Sequence, residues 1–122
     1  MKSFFIALSL FALLLFAVIG NAIYINEEIE SLTEELEALG SFESPNFNDK
    51  LDEIEDNWQN FRAIADISCA YSELNKIDTT LHQLRAYAAA KSFDEYEATR
   101  TTLILLLRDL ARLEKITLKS LI

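Results

Sequence analysis

The sequence contains one cysteine, one histidine, one proline and two glycines in 122 residues, and each scarcity removes a class of structure or chemistry. Cys69 has no intrachain partner for a disulfide, and together with the lone His82 it leaves no Cys or His pair at zinc-ligand spacing. One proline and two glycines argue against a loop-rich barrel, a collagen-like repeat or a flexible linker. A nucleophilic triad needs a base beside a Ser or Cys, and one histidine without a nucleophile elbow offers little to build it from. Positive charge is also scarce in the first half. Residues 26–66 carry thirteen acidic against two basic side chains, and residues 67–122 seven against eight. That distribution repels a phosphate backbone and leaves no basic stripe, so nucleic acid is not an expected partner. The sequence predicts a non-enzymatic protein with no cofactor and no defined small-molecule substrate.

What the chain has in abundance is hydrocarbon at one end and helical periodicity everywhere else. From Phe4 to Ile19 there is one hydroxyl and no charge, and the apolar character runs on through Ile25. About twenty helical residues cover the roughly 30 Å of a bilayer's hydrocarbon core. Residues 1–25 therefore read as a membrane anchor, retained as a single span, with residues 26–122 as the folded domain. A competing reading stays open: Lys2 is a minimal positive region, and Gly20-Asn21-Ala22 supplies the small residues of a cleavage site, which would release a secreted module after Ala22. Positive charge at the amino end resists translocation, and no Lys or Arg follows until Lys50. Under either reading the carboxyl-terminal domain is expected outside the cytoplasm.

Beyond the anchor every long segment alternates at helical spacing. Ile25, Ile29, Leu32, Leu36 and Leu39 form an apolar stripe opposite Glu27, Glu30, Glu34 and Glu37, with Gly40 placed to end the helix. Residues 41–46 gather turn formers and reverse the chain. Phe47, Leu51, Ile54, Trp58, Phe61 and Ile64 or Ala65 make the next stripe, with Asn46 or Asn48 as a cap. Ile67, Ala70 or Tyr71, Leu74, Ile77, Leu81, Leu84 and Ala88 extend it, and the pattern leaves open whether residues 47–90 are one helix or two with a bend near Ser68 to Ser72. Ser92 and Glu95 have the form of a capping box. After them Tyr96, Leu103, Leu106, Leu110, Leu113 and Thr117, flanked by Ile104, Leu107, Leu118 and Leu121, give the widest apolar face. The predicted fold is all-α: an N-terminal transmembrane helix followed by an antiparallel bundle of three or four helices.

Candidate interaction residues follow from this layout. Asp49, Glu53 and Asp56, with Asp52 nearby, make an acidic helix face that serves hydration, attracts a basic partner, or weakly gathers calcium or magnesium without an EF-hand loop. Trp58, Phe61 and Tyr71 are aromatics of the kind that fill cores or anchor interfaces. His82 follows Asp78 by one helical turn, which predicts a helix-face contact. Asp109 and Arg112 are spaced as a local ion pair. Cys69 reads as core filler or, in an oxidising compartment, as half of an intermolecular disulfide. The basic residues of the last half, from Lys76 to Lys119, are placed to face the acidic helices within one molecule or between two.

The stretch Glu73-Leu-Asn-Lys-Ile-Asp78, followed by Leu81, Leu84, Arg85, Ala86 and Tyr87, resembles a bacterial family catalogued as domain of unknown function 4363. The resemblance takes in nearly the whole chain: the apolar amino terminus, a Trp-bearing second helix as at Trp58, this central segment, and a Leu-rich final helix as at Leu103 to Leu110. Related chains often place a histidine near the position of Tyr71, a departure that weakens a family-wide histidine site. The resemblance implies a small bacterial envelope protein and transfers no catalytic residue. The expected partners are the lipid bilayer and either a protein partner or a second copy of the chain.

Overall fold

The computed structural model describes residues 1–39, 44–66, 69 and 71–121; the side chains of 117, 118, 120 and 121 fall outside that description. Four helices follow one another: α1 (Lys2–Ala38), α2 (Phe47–Ala65), α3 (Tyr71–Ala89) and α4 (Phe93–Leu121). Each packs on two neighbours, α1 on α2 and α4, and α3 on α2 and α4. The pairs that meet run antiparallel: Asn57 reaches Glu35, Arg85 reaches Asp52, and Arg108 reaches Glu37. The result is a four-helix bundle with an up-down-up-down course.

α1 does two jobs along one unbroken 37-residue helix. At 1.5 Å per residue it is about 55 Å long, and its two halves meet different surroundings. Among the described residues it is the one helix long and apolar enough to cross a membrane, and none of that apolar stretch is buried against the rest of the protein. From Ile25 onward the same helix becomes a wall of the bundle, with Ile25, Ile29, Leu32, Leu36 and Leu39 buried. The break between α2 and α3 resolves the open choice over residues 47–90 in favour of two helices. α2 ends at Ala65, and the N–H of the following Asp66 still bonds to the Arg62 carbonyl.

The core is built in layers. Leu32 and Leu36, Ile54 and Trp58, Ile77 and Leu81, and Leu103 and Leu107 surround one residual void at its middle, two residues from each helix one turn apart. Phe47 meets Tyr96 edge to face at 5.7 Å at the end away from the apolar tail. Burial there, with a smaller opposing effect from Arg100, holds the Tyr96 phenol above its ordinary range. Two buried hydroxyls are satisfied within their own helices: Thr33 donates to the Ile29 carbonyl and Thr80 to the Lys76 carbonyl.

Three helix ends differ in how their backbone groups are met. Asn46 holds the N-cap position of α2 at φ −98°, ψ 7°, and makes no side-chain cap bond; a capping side chain reaches the N2 or N3 amide from a β-region backbone, which this is not. α3 closes with a Schellman motif: Ser92 N–H bonds to the Tyr87 carbonyl and Lys91 N–H to the Ala88 carbonyl, with Lys91 in the left-handed region at φ 57°. At the end of α1, Arg100 reaches across from α4. Its guanidinium donates to the carbonyls of Leu36, Glu37 and Leu39 and pairs with Glu97 at 2.7 Å, satisfying carbonyls that a helix C-terminus leaves orphaned. Gly40, expected to end this helix, lies outside the described residues, as do Ile67, Ser68 and Ala70 of the expected bend.

The apolar seam of α4 differs from the expected one. Tyr96, Leu103, Leu107 and Leu110 are buried, whereas Leu105, Leu113 and Ile116 are exposed. Leu103 to Leu107 is apolar at every position, so spacing alone does not select a face; packing against α1 and α3 selects Leu107 over Leu106.

Candidate functional site

The expected interaction residues separate into three environments. Trp58 and Phe61 are each 1 % exposed and pack against one another with their rings tilted by 38° and centroids 5.7 Å apart. They belong to the core and are withdrawn from any partner surface. Tyr71 is 69 % exposed, with the Arg62 guanidinium 5.9 Å from its ring centroid. Asp49, Glu53 and Asp56 are exposed along α2. Glu53 lines a small cleft of about 190 Å³ with Glu35 and Lys50, and Asp52 is drawn away to Arg85 at 2.7 Å. Among the described residues no group of three or more His, Cys, Asp or Glu is arranged to hold a metal ion.

The densest polar cluster lies on the seam between α2 and α3, around Asp78. Trp58 Nε1–H and Gln59 Nε2–H both donate to its Oδ1 at 3.1 Å, and Arg62 stands 3.1 Å from its Oδ2. Burial alone would raise the Asp78 pKa, but the Trp58 and Gln59 hydrogen bonds and the Arg62 and His82 charges outweigh it and hold the carboxyl below its usual value. His82 is exposed and donates from Nδ1 to the Asp78 backbone carbonyl at 2.8 Å, the helix-face contact its spacing predicts. This arrangement ties two helices together and satisfies the indole N–H. Beside it, Arg85 joins Glu55 and Asp52 of α2.

A further surface feature was not singled out by sequence pattern. A cleft of about 500 Å³ runs between α1 and α4. Its α1 rim is acidic, Glu30, Glu34 and Glu37, and its α4 rim is basic, Arg108, Arg112 and Lys115; Ile29, Thr33 and Ala111 also line it. The rims are in step. On each helix the charges recur at four and then three residues, so they stay on one face, and antiparallel packing sets Glu37 against Arg108 at 2.6 Å. Arg112 also pairs with Asp109 on its own helix at 3.0 Å, as expected. The signal lay in each helix separately; what was missing was that α1 and α4 are neighbours.

A model of the family described as Domain of unknown function (DUF4363) matches residues 18–121, from the last turns of the apolar run to the end of α4. The chain belongs to that family. The DUF4363 match spans every helix of the bundle, in keeping with the resemblance carried by the Trp58 helix and the central segment. No curated protein and no solved structure matches the chain. Since the DUF4363 description names no activity, chemistry here rests on the residues themselves.

Proposed function

We propose that the protein is a non-catalytic, single-pass membrane protein whose helical domain stands outside the cytoplasm and acts by protein contact, pairing with a second copy through the α1–α4 cleft. The observation that carries this reading is the matched acidic and basic rims of that cleft. Two copies anchored in one bilayer stand parallel, so a two-fold axis along the membrane normal keeps residues at equal height. The acidic rim of one copy then faces the basic rim of the other: α1 side chains lean toward the membrane and α4 side chains away from it, so Glu34 reaches down to Arg112 and Glu30 to Lys115, as Glu37 does to Arg108 within one copy. Exposed ion pairs of this kind are worth about 0–1 kcal/mol each; they orient a contact more than they tighten it. Confinement to a membrane raises the effective concentration enough for such a contact to be populated.

Retention of the anchor is favoured by Ile25. This residue is fully buried at the foot of the core, and cleavage after Ala22 would leave it in the first, unsupported turn of a shortened helix. The positive amino end and the absence of basic residues before Lys50 favour the outward placement of the domain.

Carbodiimide treatment of native membranes is expected to link carboxylate to lysine across the cleft and give a dimer. Lys115→Glu with Arg112→Glu should reduce that product severalfold, and adding Glu30→Lys with Glu34→Lys should restore it. All four positions sit on the rim of the cleft, so the variants remain folded. Monomer alone, or a product containing only a different protein, would contradict self-pairing.

A further inference from the structure

We infer that the base of the bundle is seated in the lipid headgroup layer, held there by a ring of exposed apolar and aromatic side chains contributed by α2, α3 and α4. The inference rests on the reading of residues 4–23 as the span. Carboxyl-terminal to that segment, the exposed large hydrophobic residues among those described are Ile64, Tyr71, Phe93, Leu105, Leu113 and Ile116. Their heights on the bundle are fixed by the central layer, where Leu32 is level with Trp58, Ile77 and Leu107. Helices of equal rise keep step from there. Ile64 lies six residues beyond Trp58 on antiparallel α2, Tyr71 six residues before Ile77 on parallel α3, and Leu113 six residues beyond Leu107 on antiparallel α4. All three therefore stand at the height of Asn26. Ile116 is lower, level with Ile23. Leu105 lies at mid-height and Phe93 at the far end.

The membrane sets the same heights independently. Twenty residues from Phe4 to Ile23 fill about 30 Å of hydrocarbon, and the headgroup layer adds about 5–7 Å beyond it. That layer covers the next four or five residues of α1, Tyr24 to Glu28. Because α1 is unbroken through this region, the bundle cannot stand off on a linker, and its base is carried to the depth at which Tyr71, Ile64, Leu113 and Ile116 are exposed. An aromatic ring with a polar tip at the membrane interface is a favoured arrangement, and Arg62 holds the Tyr71 ring in place from one side. The charges at this height are mixed, Glu27, Asp66 and Glu114 beside Arg112 and Lys115, while Lys119 lies lower, level with Gly20, on a long side chain that carries its ammonium up toward the headgroups. Seating therefore depends on apolar contact and needs no anionic lipid.

The test uses the full chain in phosphatidylcholine vesicles, with single nitroxide labels introduced by Tyr71→Cys, Ile116→Cys, Phe93→Cys or Leu14→Cys in a Cys69→Ser background. All four sites are exposed on the protein, so labelling leaves the core intact. Depth is read from the relative accessibility to oxygen and to a water-soluble nickel chelate. The expected result is a deep label at position 14, headgroup depth at 71 and 116, and water at 93. A deep label at 14 with 71 and 116 as water-exposed as 93 would overturn the seating while leaving the anchor. Water exposure at 14 would overturn both. Headgroup depth that appears only with anionic lipid, or is lost in high salt, would also overturn seating by apolar contact.

Discussion

Trp58→Ala is expected to destabilise the bundle by about 4 kcal/mol, within the range for deleting a buried tryptophan. Trp58 is 1 % exposed and sits in the layer to which all four helices contribute. Its removal opens a cavity that neighbours on four separate helices cannot all collapse into. A domain of this size has roughly 5–15 kcal/mol in total, so the loss is a large fraction. Trp58→Phe separates packing from polarity: it retains much of the volume but removes the N–H that Asp78 accepts, and should cost less, about 1–2 kcal/mol. Denaturant unfolding of the full chain in detergent, followed by helical circular dichroism, checks both values. Equal losses for the two variants would mean that the hydrogen bond and not the packing dominates.

The second large effect is at Asp78. Asp78→Ala removes the acceptor of a buried indole N–H and the partner of Arg62 together, and is expected to cost about 2–3 kcal/mol, less than a fully buried pair because the site is partly solvated. Asp78→Asn keeps one acceptor oxygen and should lose about half as much. The pH dependence has a definite sign. The folded-state pKa of Asp78 lies below its ordinary value of 3.8, so its ionised form stabilises the fold above that value, and the contribution is lost as pH falls through the lower folded value. The stability gap between the native chain and Asp78→Asn should be full above about pH 4 and close below it. A gap unchanged down to pH 2 would show that the charge of Asp78 contributes nothing.

Much of this architecture was legible in the sequence because apolar stripes map directly onto buried faces. Ile25 to Leu39, Phe47 to Phe61 and Leu74 to Ala88 are buried at the expected positions. The stripe failed where it was too rich. In α4 the run Leu103 to Leu107 offers several faces of equal apolarity, and the neighbours chose one. Helix ends were less legible, since capping depends on backbone angles that composition does not set: Asn46 has the right side chain in the wrong conformation. Arg100 caps α1 from more than sixty residues away, beyond the reach of local pattern. Trp58 and Phe61 were legible as members of the α2 stripe, and of the two roles open to them, core or interface anchor, the structure gives them the core. The cleft combines two periodic charge rows whose meeting is a tertiary fact.

As proposed, one continuous helix both anchors the protein and forms a wall of a bundle outside the cytoplasm. The most direct test is labelling of Phe93→Cys, at the end of the bundle farthest from the anchor, in a Cys69→Ser background. A membrane-impermeant maleimide is applied to spheroplasts before membrane and soluble fractions are separated. The account predicts a labelled, full-length chain in the membrane fraction. Labelling only after lysis, or recovery of a shortened soluble chain beginning near Ile23, would contradict it.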